Sequence, residues 1–134
     1  MAVIRSETLA LRVEQDVVLA RQAVRRMTQE LKFSLVDQTK MVTAASELAR
    51  NTVTYGGGGV LVWEALADGA KKGLRLTFKD EGPGIADLAV AMTDGWTSGS
   101  GLGLGLSGAK RLVNEFEIDT KPGQGTRVTI TRWK

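Results

Sequence analysis

The segment Gly99-Ser100-Gly101-Leu102-Gly103-Leu104-Gly105-Leu106-Ser107-Gly108 alternates glycine with leucine and leads into a predicted helix over residues 108–116. Glycines let consecutive backbone N–H groups converge on one anion, and the N-terminus of a following helix adds partial positive charge. The leucines argue against a plain flexible linker, because they are expected to pack. The segment therefore predicts a phosphate-binding loop, and the kind of phosphate stays open at this point.

Known phosphate-loop patterns match this segment only in part. Gly103, Gly105 and Gly108 satisfy the dinucleotide pattern G-x-G-x-x-G, but no clear strand precedes them. The G-K-[ST] of a Walker loop is missing, and so are the V-A-I-K, H-R-D and D-F-G motifs of protein kinases. The segment is thus not assigned to any of these classes.

Composition excludes several kinds of chemistry. The 134 residues include neither Cys nor His, so thiolate sites and imidazole general bases are ruled out. The net charge of +3 is scattered along the chain and aromatic content is 5%, which argues against a nucleic-acid partner. No apolar run is long enough to span a bilayer, and the first ten residues do not resemble a signal peptide. We expect one cytoplasmic domain over residues 1–134, without a membrane partner.

Hydrophobic periodicity and turn residues predict the secondary structure. The predicted elements are a strand over 3–13, helices over about 16–31, 35–54 and 108–116, strands at 60–63 and 74–78, and a final hairpin of 116–121 and 126–133. Ser34 and Asp37 suit a capping box for the second helix, and the stretch 68–73 suits a hairpin turn. This order favours an α+β fold with a mixed sheet and helices on one face.

Glu47 and Asn51 are four residues apart on the second predicted helix, so their side chains project from one face. A carboxylate beside a carboxamide can accept a proton and hold Mg²⁺. Taken alone, the pair is more typical of a solvated helix surface on which Glu47 also pairs with Arg50, because Glu and Asn at this spacing are common.

Two glycine-containing turns lie next to predicted strands: the first follows the strand at 74–78, and the second leads into the strand at 126–133. In Asp80-Glu81-Gly82-Pro83-Gly84-Ile85 a carboxylate at a strand end could accept a hydrogen bond from an exocyclic amine while the glycines admit a flat ring. An ordinary turn is the alternative, since Pro-Gly is a strong turn dipeptide. Gly123-Gln124-Gly125-Thr126, taken alone, is a hairpin turn.

Together and in this order, the four segments resemble the GHKL superfamily of ATPases and kinases. The resemblance covers nearly the whole chain and implies the Bergerat fold, a two-layer α/β sandwich with a mostly antiparallel sheet and helices on one face. It also implies ATP and Mg²⁺ as ligands. Within the superfamily the chain is similar to small stand-alone serine kinases of the anti-sigma and stressosome types, although Tyr55 stands where anti-sigma members commonly have His.

The resemblance also implies roles for individual residues. Glu47 matches the general base, Asn51 the Mg²⁺ ligand and nucleotide contact, and Asp80 the acceptor for the adenine amine, assisted through water by Thr126. The remaining matches are Gly82 and Gly84, which would let base and ribose approach, and Gly101, Leu102, Gly103, Leu104 and Gly105, whose backbone would surround the β- and γ-phosphates. The segment from about 85 to 105 would be a mobile lid.

The family further implies partners. The expected substrate is a serine on a small STAS-like antagonist or scaffold protein, and the expected output is activation of a downstream protein such as a phosphatase. Two alternatives remain at this point, an anti-sigma factor kinase and a partner-switching module that binds ATP without catalysis.

Overall fold

The computed structural model describes residues 1–85 and 106–134. Its elements are β1 (Ala2–Leu11), α1 (Glu14–Glu30), α2 (Leu35–Arg50), a π-helical turn (Asn51–Tyr55), β2 (Gly59–Asp68), β3 (Lys71–Asp80), α3 (Leu106–Arg111), β4 (Glu115–Lys121) and β5 (Gly125–Trp133). The five strands form one sheet in the order β1-β2-β3-β5-β4. Each of the described pairings is antiparallel. The expected α+β sandwich with a mostly antiparallel sheet is confirmed.

The core lies between the helices and one face of the sheet. On α1 the predicted apolar stripe is buried at Val17, Ala20, Val24 and Met27. In β3, Leu74, Leu76 and Phe78 are buried against it, whereas Arg75 and Thr77 on the opposite face of the sheet are polar and partly exposed. This period-two alternation is what a sheet covered on one face requires.

The first turn of α2 is joined to the sheet through Asp37. Ser34 caps the helix by accepting a hydrogen bond from the Asp37 N–H at 3.1 Å, as its position before the helix predicts. The Asp37 carboxylate accepts a hydrogen bond from Arg132 Nη2 of β5 at 2.6 Å. Arg132 also donates to the Leu112 carbonyl at 2.9 Å. One arginine therefore connects β5 to the start of α2 and to the residues after α3.

The predicted helix over 108–116 is wrong at both ends. The helix comprises Leu106–Arg111, and β4 already begins at Glu115. Asn114 is already paired with β5, because its N–H donates to the Thr131 carbonyl at 3.0 Å and its side-chain oxygen accepts the Trp133 N–H at 2.7 Å. Pairing with β5 thus replaces helical hydrogen bonds that the local sequence favours.

The helix predicted over 35–54 changes character at Asn51. The Gly56 N–H donates to the Asn51 carbonyl at 2.9 Å, which closes a π-helical turn. Such single turns are frequent at functional sites. The turn brings the end of α2 alongside the last residues of β3, where Asp80 lies.

Candidate nucleotide site

Asp80 is the last residue of β3 and its carboxylate is half-buried. Its Oδ1 atom accepts a hydrogen bond from the Gly82 N–H at 2.9 Å, and the carboxylate also accepts one from the Thr126 N–H. Burial raises the pKa of Asp80 above its usual 3.8, and the two backbone hydrogen bonds oppose that rise. The carboxylate is therefore oriented by the backbone.

Two glycines allow the chain to pass close to Asp80. A Cβ on Gly56 would overlap the Asp80 carboxyl group, and a Cβ on Gly125 would overlap the Asp80 carbonyl oxygen. Gly125 also has φ +89°, which disfavours any side chain. Gly56 is not among the residues predicted from the sequence; the signal was the run of four glycines, 56–59, directly after the π-helical turn.

Gly82 and Gly84 are also in close contact with backbone. A Cβ on Gly82 would lie 2.6 Å from the Gly56 carbonyl oxygen. A Cβ on Gly84, whose φ is +71°, would overlap the carbonyl oxygen of Lys121. Both glycines are therefore required by the packing of this loop, whatever part they have in admitting a ligand.

Three hydrogen bonds hold the loop after Asp80 in place. The Tyr55 hydroxyl donates to the Gly84 carbonyl at 3.1 Å. The Gly123 N–H donates to the Pro83 carbonyl at 2.6 Å, and the Ile85 N–H donates to Thr120 Oγ1 at 2.9 Å. The loop is thereby attached to the end of α2 on one side and to the β4–β5 hairpin on the other.

A cavity of about 20 Å³ lies between α2 and the sheet at this end of the molecule. It is lined by Leu48, Asn51, Thr52, Tyr55, Phe78, Asp80, Ile85, Leu106, Thr126 and Val128. Three of the predicted nucleotide-binding residues, Asn51, Asp80 and Thr126, are thus brought together from α2, β3 and β5. The lining, mostly apolar with a few polar groups, is of the kind found in small-molecule sites, whereas the volume is far below the usual one of about 300–1,000 Å³.

Glu47 is not among the residues that line this cavity, but it precedes Asn51 by one helical turn. Its Oε1 atom lies 3.7 Å from Arg50 Nη1, and Arg50 Nε lies 4.0 Å from Glu14 of α1. About 40% of each of the Glu47 and Arg50 side chains is exposed, so the pairing is weak and easily rearranged. The pairing expected on a plain helix surface is therefore present.

The predicted phosphate-binding residues and the predicted Mg²⁺ ligand are the two remaining features of the expected site. The predicted phosphate-binding residues Gly101–Gly105, and most of the predicted lid, lie outside the described residues. For the metal, the Asn51 carboxamide is a hard oxygen donor on the cavity wall, which fits Mg²⁺ because this ion usually takes few protein ligands and keeps waters and phosphate oxygens.

Among residues 1–85 and 106–134, no helix is long and apolar enough to cross a membrane.

Sequence comparison shows the family to which this fold belongs. Residues 36–134 match the family model described as histidine kinase-, DNA gyrase B-, and HSP90-like ATPase. The chain belongs to this family, and within it the chain is a serine/threonine-protein kinase.

Similar proteins of known name include a serine/threonine-protein kinase and an anti-sigma factor. The serine/threonine-protein kinase RsbT of Bacillus subtilis (strain 168) is 46% identical over 120 residues, which cover 90% of each chain. The anti-sigma F factor of Thermoanaerobacter sp. (strain X514) is 27% identical over 125 residues, covering 89% of this chain and 86% of that one. A crystal structure of the RsbU and RsbW domains of Rv1364c from Mycobacterium tuberculosis has a TM-score of 0.66 at 22% identity. It covers 97% of this chain and 33% of that one, and it supports the fold.

Proposed function

We propose that this chain transfers the γ-phosphate of Mg·ATP to a serine of a small STAS-like antagonist or scaffold protein in a bacterial partner-switching pathway. The observation that carries the proposal is the half-buried, backbone-oriented carboxylate of Asp80 in a small apolar cavity that Asn51 and Thr126 also line. The relationship to RsbT supports the choice of a serine kinase over other members of the family.

Asp80 is proposed to accept the exocyclic amine of adenine, with Thr126 contributing through water. The cavity is mostly apolar, as the faces of a purine ring require, and Asp80 provides an acceptor at its edge. Its volume of about 20 Å³ is room for about one water. Adenine binding therefore requires the walls to separate. Ile85 and Leu106 are the walls that flank residues 86–105, so we propose that they move apart.

Asn51 is proposed to hold Mg²⁺ together with phosphate oxygens and water. When bound, the ion neutralises charge on the phosphates, which phosphoryl transfer needs more than any covalent chemistry. The backbone N–H groups of Gly101–Gly105 are proposed to donate hydrogen bonds to the β- and γ-phosphates.

Glu47 is proposed as the general base. As the serine oxygen forms its bond to the γ-phosphorus, the bond from that phosphorus to the β–γ bridging oxygen breaks and ADP leaves. The serine proton passes to the Glu47 carboxylate. Before this step Glu47 must exchange its contact with Arg50, 3.7 Å away, for the substrate hydroxyl.

Residues 1–134 are proposed to act as one kinase domain in the cytoplasm. β1 and β5 come from opposite ends of the chain and belong to one sheet. After phosphorylation of the antagonist, release of the chain would let it activate a downstream protein such as a phosphatase.

The proposal is tested with γ-labelled ATP and STAS-domain proteins of the native cell, purified individually. We expect label on a serine of one of them, lost with Glu47→Gln and retained with Glu117→Gln, an exposed glutamate of β4. Calorimetry should show ATP binding that weakens roughly ten- to a hundredfold in Asp80→Asn. ATP binding without phosphoserine on any of them would leave a non-catalytic module, and no ATP binding would overturn the proposal.

A further inference from the structure

The Thr120 hydroxyl lies where three parts of the chain meet. It accepts a hydrogen bond from the Ile85 N–H at 2.9 Å and donates one to the Gly125 carbonyl at 3.2 Å. It also lies 2.8 Å from the hydroxyl of Thr126, its cross-strand partner in the β4–β5 hairpin. Thr120 does not line the cavity, whereas Ile85 and Thr126 do.

Proton counting gives this network a direction. A hydroxyl has one proton to donate and two lone pairs to accept with. The Ile85 N–H can only donate and the Gly125 carbonyl can only accept, so all three contacts are hydrogen bonds at once only when the Thr120 proton points to Gly125. In the 2.8 Å contact with Thr126, Thr126 must then be the donor. The chain of hydrogen bonds runs from Thr126 to Thr120 to the Gly125 carbonyl.

The direction determines what Thr126 presents to the cavity. Its only hydroxyl proton is used on Thr120, so toward a ligand or a bridging water its oxygen can only accept. Asp80, held by the N–H groups of Gly82 and Thr126, also accepts. The polar part of the wall formed by Asp80 and Thr126 is therefore made of acceptors.

We infer that Thr120 is a specificity-determining positioning residue, which orients the Thr126 hydroxyl so that this wall selects a 6-amino purine over a 6-oxo purine. The inference rests on the proposed function, since it concerns how the same site reads its nucleotide. Adenine offers an amine to Asp80, and a water that donates to its N1 can give its second proton to Thr126. Hypoxanthine has a carbonyl oxygen in place of the amine and an N–H at N1. Its 6-oxo oxygen would therefore face the Asp80 carboxylate, and both groups are acceptors.

Without the Thr120 hydroxyl, Thr126 is free to rotate and to donate toward a 6-oxo group. The discrimination between 6-amino and 6-oxo purine nucleotides should then fall, in addition to the affinity for ATP. A residue that merely stabilised the hairpin would weaken all purine nucleotides equally. Because the Thr120 oxygen also holds Ile85, its loss should in addition loosen one wall of the cavity.

The test measures ATP and ITP affinities of the full chain by calorimetry. Thr120→Val keeps the shape and removes the hydroxyl; we expect ATP affinity to fall roughly three- to tenfold and the ratio of ATP to ITP affinity to fall with it. Thr120→Ser should restore both. Thr129→Val is the matched control, because Thr129 forms a similar hydroxyl pair with Thr77, 3.5 Å apart, on the opposite face of the sheet.

A Thr120→Val protein that keeps the parent's ratio of ATP to ITP affinity, even if both affinities fall, would overturn the inference about Thr120. ATP binding by the parent would in that case leave the proposed function standing. A parent chain that binds no ATP would overturn both. Should the valine variant fail to fold, Thr120→Ala carries the same comparison. In Thr120→Val and in Thr120→Ala we expect faster hydrogen exchange of the Ile85 amide than in the parent. In Thr129→Val we expect this amide to exchange at the parent's rate.

Discussion

The Tyr55 hydroxyl donates a hydrogen bond to the Gly84 carbonyl at 3.1 Å, joining the π-helical turn after α2 to the loop after Asp80. Tyr55 and Gly84 are 29 residues apart in the chain. The bond fixes one side of the loop that begins with the proposed adenine-binding carboxylate. The aromatic ring of Tyr55 contributes to the cavity wall at the same time.

Tyr55→Phe keeps the ring and removes this hydrogen bond. A single hydrogen bond of this kind contributes about 0.5–1.5 kcal/mol, so ATP affinity should fall roughly two- to tenfold through a looser loop. Amide exchange should accelerate within residues 81–85. Calorimetry and exchange measured by NMR check both; if the ATP affinity of the variant equals that of the parent, the bond does not contribute to binding.

Gly56→Ala should disrupt the site more than any substitution of an exposed glycine. The added Cβ would overlap the Asp80 carboxyl group, so Asp80 must move away from the Gly82 N–H. ATP binding should be weakened at least tenfold. The control is Gly69→Ala in the β2–β3 turn, where a Cβ meets nothing within 4 Å; its φ of +62° makes alanine unfavourable for stability, but ATP affinity should stay that of the parent. Equal ATP affinities of the two variants would contradict the assignment.

The stability of the unliganded chain should depend on pH through Asp80. Burial raises the pKa of Asp80 above 3.8, so just above that pH the folded state binds more protons than the unfolded state. Under this condition the free energy of unfolding falls as pH rises, until the pH passes the raised pKa. Asp80→Asn lacks the ionisation. Urea denaturation of both proteins between about pH 4 and 7 should therefore show the parent losing stability relative to the variant.

Glu47→Gln should separate chemistry from binding. The amide cannot take the serine proton, and a general base typically contributes about 10²–10⁴-fold to the rate. Mg·ATP affinity should stay within a few-fold of the parent's, because Glu47 does not line the cavity. Single-turnover transfer to the phosphoacceptor is the measurement. Transfer at the parent's rate would mean that the base lies elsewhere.

Arg132→Ala should destabilise the fold more than Arg127→Ala. Arg132 and Asp37 are 14% and 26% exposed and 2.6 Å apart, whereas Arg127 and Asp119 are 57% and 65% exposed and 3.3 Å apart. Loss of a largely buried charged hydrogen bond costs about 1.5–3 kcal/mol, and an exposed pair contributes less than about 1 kcal/mol. Urea denaturation of the two variants gives the comparison; similar losses would show that Arg132 does not connect β5 to α2.

Much of the fold could be predicted from the sequence because its signals are local. The apolar stripe of α1, the cap at Ser34 and the hairpin turn after Asp68 each depend on residues within a few positions of one another. The hairpin turn has Gly69 at its first position with φ +62°, as a two-residue turn prefers. The end of α3 could not be predicted in this way, because Asn114 is recruited by Thr131 of β5, which is far away in the chain.

The sequence by itself determined the residue types of the candidate site. The order of the four segments that contain Glu47 and Asn51, Asp80, Gly101–Gly105 and Thr126 indicated a nucleotide site through their resemblance to a known superfamily, and the roles of individual residues stay predictions. What Gly56 and Thr120 do was decided by tertiary structure alone. Gly56 lets α2 approach the Asp80 carboxyl group, and Thr120 orders a network that spans 41 residues from Ile85 to Thr126. Close approach and hydrogen-bond direction depend on atoms brought together by folding, which local spacing does not encode.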